Sequence, residues 1–210
     1  MKTHRTTGFT LLAGAGLFSL SLAAGAADII DVTKLVDTCS HCHERDGDSS
    51  DPNMPIIGGY SKKYIIRSLT SYKNAVRSCP EIEYISDEKT VERTDMCRIS
   101  QALSEEDIEH LAHYYSGKKF RRANQDFNPG LARVGKLIHE RDCAKCHSEA
   151  GSVASDDAGI LAGQWSPYLK QQFLAFYAEK RQLDKKMKPK FNKLDKTEIE
   201  ALLNYYASFQ

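Results

Sequence analysis

The sequence predicts an all-α protein built from two similar domains in tandem, and three observations carry that prediction. A Cys-x-x-Cys-His motif occurs as Cys39-Ser40-His41-Cys42-His43 and again, 104 positions later, as Cys143-Ala144-Lys145-Cys146-His147. Each copy is followed by apolar residues at helical spacing. Each half then closes on a further amphipathic segment opened by a capping signal.

The motif fixes the cofactor. Cys-x-x-Cys-His attaches a c-type haem through two thioethers and presents its histidine to the iron. Two copies predict two covalently held haem c groups, with Cys39, Cys42, Cys143 and Cys146 as attachment residues and His43 and His147 as proximal ligands. Two haems on one chain imply electron transfer.

In chain order, Lys2, His4 and Arg5 precede an apolar run from Phe9 to Ala24 and the small residues Gly25-Ala26-Ala27. This is the pattern of a secretory signal peptide over residues 1–27, which places the mature chain, from about Asp28, in the periplasm. A retained membrane anchor is the alternative, but about 16 apolar residues are short for a span. The first domain is read as 28–116, a linker as 117–130 and the second domain as 131–210.

Asp31 or Thr33 can cap a helix that carries Leu35 and Val36 toward the first haem. Glu44 to Pro52 is polar and turn-rich, hence a loop. Tyr64, Ile65, Leu69 and Tyr72 then recur at helical spacing, and adding 104 maps them to Tyr168, Leu169, Phe173 and Phe176, as it maps Gly59 to Gly163. Further on the offset falls to 91: Ile108–Tyr115 aligns with Ile199–Tyr206, behind the capping boxes Ser104-x-x-Asp107 and Asp195-x-x-Glu198. The first half therefore carries 13 extra residues between Tyr72 and its closing helix. Gly117 to Gly130 breaks the periodicity with glycine, proline and charge, and a Leu131-Val134-Leu137-Ile138 helix leads into the second motif.

The sixth iron position decides the chemistry, since methionine there gives a closed, high-potential carrier. The mature chain offers Met54, Met96 and Met187. The offset of 91 pairs Met96 with Met187, each 12 residues before its matched isoleucine, and so selects them as axial ligands. Met54 has no counterpart and reads as haem-pocket packing.

Cys79 and Cys97 both fall within or beside the extra segment. Two spare cysteines in an exported chain predict a Cys79–Cys97 disulfide, the alternative being a reduced thiol acting on iron. His41 reads as a partly exposed side chain, and His110, His113 and His139 lack zinc-ligand spacing. Trp165 reads as packing, with an electron-relay role as alternative, and Tyr64 and Tyr168 as packing or hydrogen-bonding near haem propionates.

Formal net charge is +1, which gives no support for nucleic acid as a partner, and no phosphate loop or G-x-S-x-G motif is present. Local charge is segregated. Glu88, Glu92, Asp95 and the Glu105–Glu109 run flank Met96, whereas Lys185, Lys186, Lys188, Lys190, Lys193 and Lys196 surround Met187. Rims of opposite charge are suited to steering redox partners.

These residues resemble the class I cytochromes c, as two fused domains of the cytochrome c4 group. The stretch Ile160-Leu161-Ala162-Gly163-Gln164-Trp165-Ser166-Pro167-Tyr168-Leu169, with Lys185-Lys186-Met187 and Tyr205-Tyr206-Ala207-Ser208, is similar more narrowly to the dihaem cytochrome subunit of flavocytochrome c sulfide dehydrogenase. That resemblance implies a pseudo-twofold arrangement with haem propionates meeting near the interface. It also implies an FAD-containing flavoprotein partner that oxidises sulfide, and onward transfer to a soluble carrier or oxidase. The chain would then be a subunit without catalysis of its own. Competing readings are a free cytochrome c4-like carrier and an enzyme such as a thiosulfate dehydrogenase or dihaem peroxidase. The insert with Cys79 and Cys97 departs from the family pattern.

Overall fold

The computed structural model describes Met1 and residues 32–210, so the signal peptide expected over 1–27 (Met1 apart), the expected start at Asp28 and the candidate cap Asp31 lie outside the described residues. Among the described residues the chain is helical apart from one small hairpin, and no helix is long and apolar enough to cross a membrane.

The first half comprises α1 (Val32–His43), α2 (Lys62–Lys73), strands β1 (Ile82–Ile85) and β2 (Val91–Thr94), α3 (Met96–Gln101) and α4 (Glu105–Ser116). The second comprises α5 (Pro129–Asp142), a distorted turn α6 (Ser148–Gly151), a 3-10 turn at Ala154–Asp156, α7 (Ser166–Tyr177), α8 (Lys188–Phe191) and α9 (Lys196–Ala207). This is the fold of two class I cytochrome c domains. Helix starts follow local chemistry. Ser61 accepts from the Tyr64 amide at 3.1 Å. Ser104 and Asp107 satisfy each other's amides, as do Asp195 and Glu198, so both capping boxes form as the sequence implies. Pro129 occupies the first turn of α5 behind Asn128, whose side chain accepts from Gly130 and Leu131.

Each half buries its own core. Val36, Tyr60, Ile65, Leu103, Ile108, Leu111 and Tyr115 form the first, and Ile160 enters it from the second half. Ile138, Tyr168, Leu169, Phe173, Phe191, Leu202 and Tyr206 belong to the second. There α5 crosses α9 at Gly135, where a Cβ would overlap the Ala201 carbonyl, so only glycine permits the close approach.

The halves are joined by reciprocal bonds between repeat-equivalent residues. Tyr60 donates its hydroxyl to the Ile160 carbonyl at 3.3 Å. The equivalent of Tyr60 is Gln164, which is fully buried and grips Ile56, the equivalent of Ile160, from both sides. Its Oε1 accepts from the Ile56 amide at 3.0 Å, and its Nε2 donates to the Ile56 carbonyl at 2.8 Å and to the Tyr60 hydroxyl at 3.1 Å. Arg77 forms an isolated antiparallel bridge with Arg181, its own counterpart at the same offset of 104. A residue that meets its own mate marks the line about which the halves are related, as in an isologous contact. Trp165 adds an indole bond to the Ser49 carbonyl at 2.8 Å, and the Tyr168 amide one to Pro52 at 3.1 Å.

The 13-residue insert carries the paired strands found among the described residues, apart from the isolated Arg77–Arg181 bridge. It forms the β1–β2 hairpin, with Ile82 opposite Thr94 and Ile85 opposite Val91. Cys79 and Cys97 are bonded across its base. Ile82, Tyr84 and Val91 are strand formers, and paired extended segments let so short an insert satisfy its backbone groups.

Candidate haem sites

In the first half α1 runs through the whole motif, so Cys39 and Cys42 stand about one turn apart on one helix with His43 next to Cys42 at its end. His43 is 7 % exposed, and its Nδ1 lies 3.0 Å from the Pro55 carbonyl. An N–H donated there fixes the ring and leaves Nε2 as the free lone pair. Burial holds the imidazole below its ordinary pKa, with the Pro55 carbonyl opposing the shift. The second half brings the equivalent groups together, although His147 Nδ1 is buried without a hydrogen-bond partner among the described residues. His147 is depressed by burial and by His139, and the carbonyl opposing the shift belongs to Gly159, the equivalent of Pro55.

The attachment thiols also match. Burial raises Cys39 to about 11, and the nearby Tyr115 hydroxyl opposes the shift. Cys143 is raised to about 11 for the same reason, beside Tyr206, the equivalent of Tyr115. His139, buried and 3.0 Å from the Tyr206 hydroxyl through Nδ1, is a core side chain that holds this tyrosine. The motifs differ in backbone. α5 ends at Asp142, and Cys143–His147 is a turn rather than a continuation of the helix.

Cys143, Cys146, His147 and Met187 all line one cavity of about 640 Å³. Met187 immediately precedes α8 and packs against the second core. Met96 occupies the corresponding place at the start of α3, half-buried beside the disulfide, and α3 packs on α2. The structure thus gathers the four sequence-selected residues of the second site around one cavity. In the first site it places His43 in the core and Met96 on the neighbouring α2–α3 unit.

Sequence reasoning missed two further residues. Arg77 is 7 % exposed and donates to the Tyr168 hydroxyl at 3.1 Å and to Gln172 Oε1 at 2.7 Å. Arg181 donates to Gln172 at 2.8 Å and to the Tyr64 hydroxyl at 3.3 Å. Both line the cavity, and neither has a carboxylate partner among the described residues. A buried cation without a counter-charge is costly, so Arg77, with the half-buried Arg181 beside it, suits anions that protein groups do not supply. Their shared offset of 104 was the signal that could have found them.

A haem c fits this set of groups. The thiols suit its vinyl carbons, an imidazole and a thioether suit its iron, and two guanidiniums with two phenols suit its carboxylates. A cavity of about 640 Å³ is of cofactor size. His147, Met187, Arg77, Arg181, Tyr64 and Tyr168 would hold the group here. When bound, it supplies reversible one-electron chemistry. The chain's own work is to exclude water, orient the His43 imidazole through the Pro55 carbonyl, and neutralise the carboxylates.

The charge segregation is real but partly committed. Asp95 caps α3, Asp107 caps α4 and Asp87 lies 3.1 Å from His41 Nε2. At the other rim Lys190 reaches the buried Asp142 at 3.4 Å, tying the lysine-rich segment to the second motif.

No family model matches the chain. It is 31 % identical over 209 residues to cytochrome c4 of Stutzerimonas stutzeri, covering 93 % of this chain and 95 % of that protein. Among solved structures, reduced recombinant cytochrome c4 from Pseudomonas stutzeri superposes with a TM-score of 0.67 at 26 % identity, covering 85 % of this chain and 97 % of that one. Thiosulfate dehydrogenase (TsdBA) from Marichromatium purpuratum superposes with a TM-score of 0.64 at 25 % identity over 81 % of this chain but 36 % of that one.

Proposed function

The chain belongs to the cytochrome c4 family of dihaem electron-transfer proteins, and from that premise we propose that it works in the periplasm as the electron acceptor of an enzyme oxidising a reduced sulfur compound. The first reading for that enzyme is an FAD-containing sulfide dehydrogenase subunit. Cys39, Cys42 and His43 hold one haem and Cys143, Cys146 and His147 the other. Met96 and Met187 close the sixth positions, which suits outer-sphere transfer and leaves no open site for substrate. The domains divide at the 117–130 linker.

The observation that carries the carrier reading is the reciprocal joint. Repeat-equivalent residues grip each other, and the buried Arg77 and half-buried Arg181 pair across the joint and line the second-site cavity. Such a joint holds two redox groups at one fixed separation. The sulfur-oxidising assignment rests on the Trp165 stretch and its resemblance to flavocytochrome c. It gains support from the likeness to about a third of a chain named thiosulfate dehydrogenase.

A second reading, a free carrier serving a terminal oxidase, is favoured by the full-length likeness to cytochrome c4. Purification from the native source separates the two. Co-elution with a flavoprotein and sulfide-dependent haem reduction support the first; a flavin-free monomer reduced only by other donors supports the second.

A further inference from the structure

The β1–β2 hairpin has no counterpart in the second half, and none of the haem-holding groups needs it. It is nonetheless held with care. The Cys79–Cys97 bond closes its base, Arg93 pairs with Glu83 at 2.7 Å across the strands, and Tyr84 donates to Glu92 at 3.0 Å. It is also aimed. Tyr84 packs edge-on against His41, with ring centroids 5.6 Å apart, and Asp87 in its turn meets the same imidazole. His41 lies between the two attachment cysteines, so the hairpin stands directly beside the edge of the first haem motif.

Its outer face carries a liability that the fold does not cover. Ile85 and Val91 are cross-strand partners at the tip, and they are 68 % and 69 % exposed. Between Cys79 and Cys97 stand six acidic residues against two basic ones. A rigid aliphatic pair with an acidic surround is the pattern of a docking surface with an apolar centre and a charged rim.

We propose that the hairpin is the docking finger for a redox protein whose electron-exchange edge has an apolar centre ringed by lysine or arginine. The finger brings that partner to the first haem rather than the second. Charge decides the choice of end: the second motif is bordered by the Lys185–Lys196 cluster and would repel the same partner. This inference rests on the electron-transfer reading and names the partner class at one of its two ends.

The test uses the haem-loaded full chain with horse-heart cytochrome c as a lysine-rimmed probe, measuring Kd and the electron-exchange rate at several salt concentrations. Glu81→Gln/Glu83→Gln/Glu88→Gln lowers the low-salt association rate roughly tenfold or more and flattens its salt dependence. Ile85→Ser/Val91→Ser weakens Kd several-fold and leaves the salt dependence in place. Unchanged Kd and rate in both variants overturn the proposal. So does faster exchange, which would make the hairpin a shield, and so does salt-sensitive self-association relieved by the same changes, which would make the occupant a second copy. Reduction by dithionite and reoxidation by ferricyanide report separately on the carrier reading; failure there sinks that reading, whereas normal behaviour with unchanged partner binding sinks only this one.

Discussion

Replacing Gln164 with leucine, close in volume and without hydrogen-bonding groups, should uncouple the two halves. Gln164 is fully buried, and it occupies both the amide and the carbonyl of Ile56, itself 2 % exposed. With leucine in place both backbone groups of Ile56 lose their partner where water cannot follow. Each buried unsatisfied group costs about 1–3 kcal/mol, so about 2–6 kcal/mol is expected. The Tyr60 hydroxyl keeps the Ile160 carbonyl and adds little. With a guanidinium m-value of roughly 4 kcal/mol/M, the unfolding midpoint should fall by about 0.5–1.5 M. The assay is guanidinium unfolding of the haem-loaded protein, followed by haem absorbance and far-ultraviolet circular dichroism. A midpoint shift below about 0.1 M would refute the argument that this side chain is the structural joint.

Two other expectations follow from the geometry. Cys79→Ser/Cys97→Ser opens a loop of 18 residues, and calorimetry should register a loss of about 3 kcal/mol on the chain-entropy view. Gly135→Val drives a side chain into the α9 backbone at Ala201 and should destabilise by at least 1–3 kcal/mol, whereas Val134→Ala, half-exposed on the same helix, should be close to neutral in the same melt.

The repeat was legible because the groups that face a haem must keep their spacing. The offset of 91 relates Met96 with Met187, while the offset of 104 relates the motifs and Tyr64 with Tyr168 and also contains Arg77 with Arg181 and Pro55 with Gly159. Those last pairs escaped notice because their chemistry lies in three dimensions. A carbonyl that orients a histidine has no side-chain signature, and an arginine is ordinarily a surface residue. Gln164 stands in the family-like Ile160–Leu169 stretch, yet nothing in a single sequence says that a glutamine will be buried with every polar atom satisfied. The hairpin was hidden for another reason. Its strands are four residues each, too short for alternation to stand out, and it is fixed by a disulfide and by His41 rather than by a core.

The most direct test of the account is haem content and ligation of the mature chain exported from a host with a c-type haem attachment system. Two covalent haems per chain are predicted, with the near-infrared band of a methionine–ferric haem bond reduced by about half in Met96→Ala, by about half in Met187→Ala, and lost in the double variant. A single haem, or a full-strength band in either single variant, would contradict it.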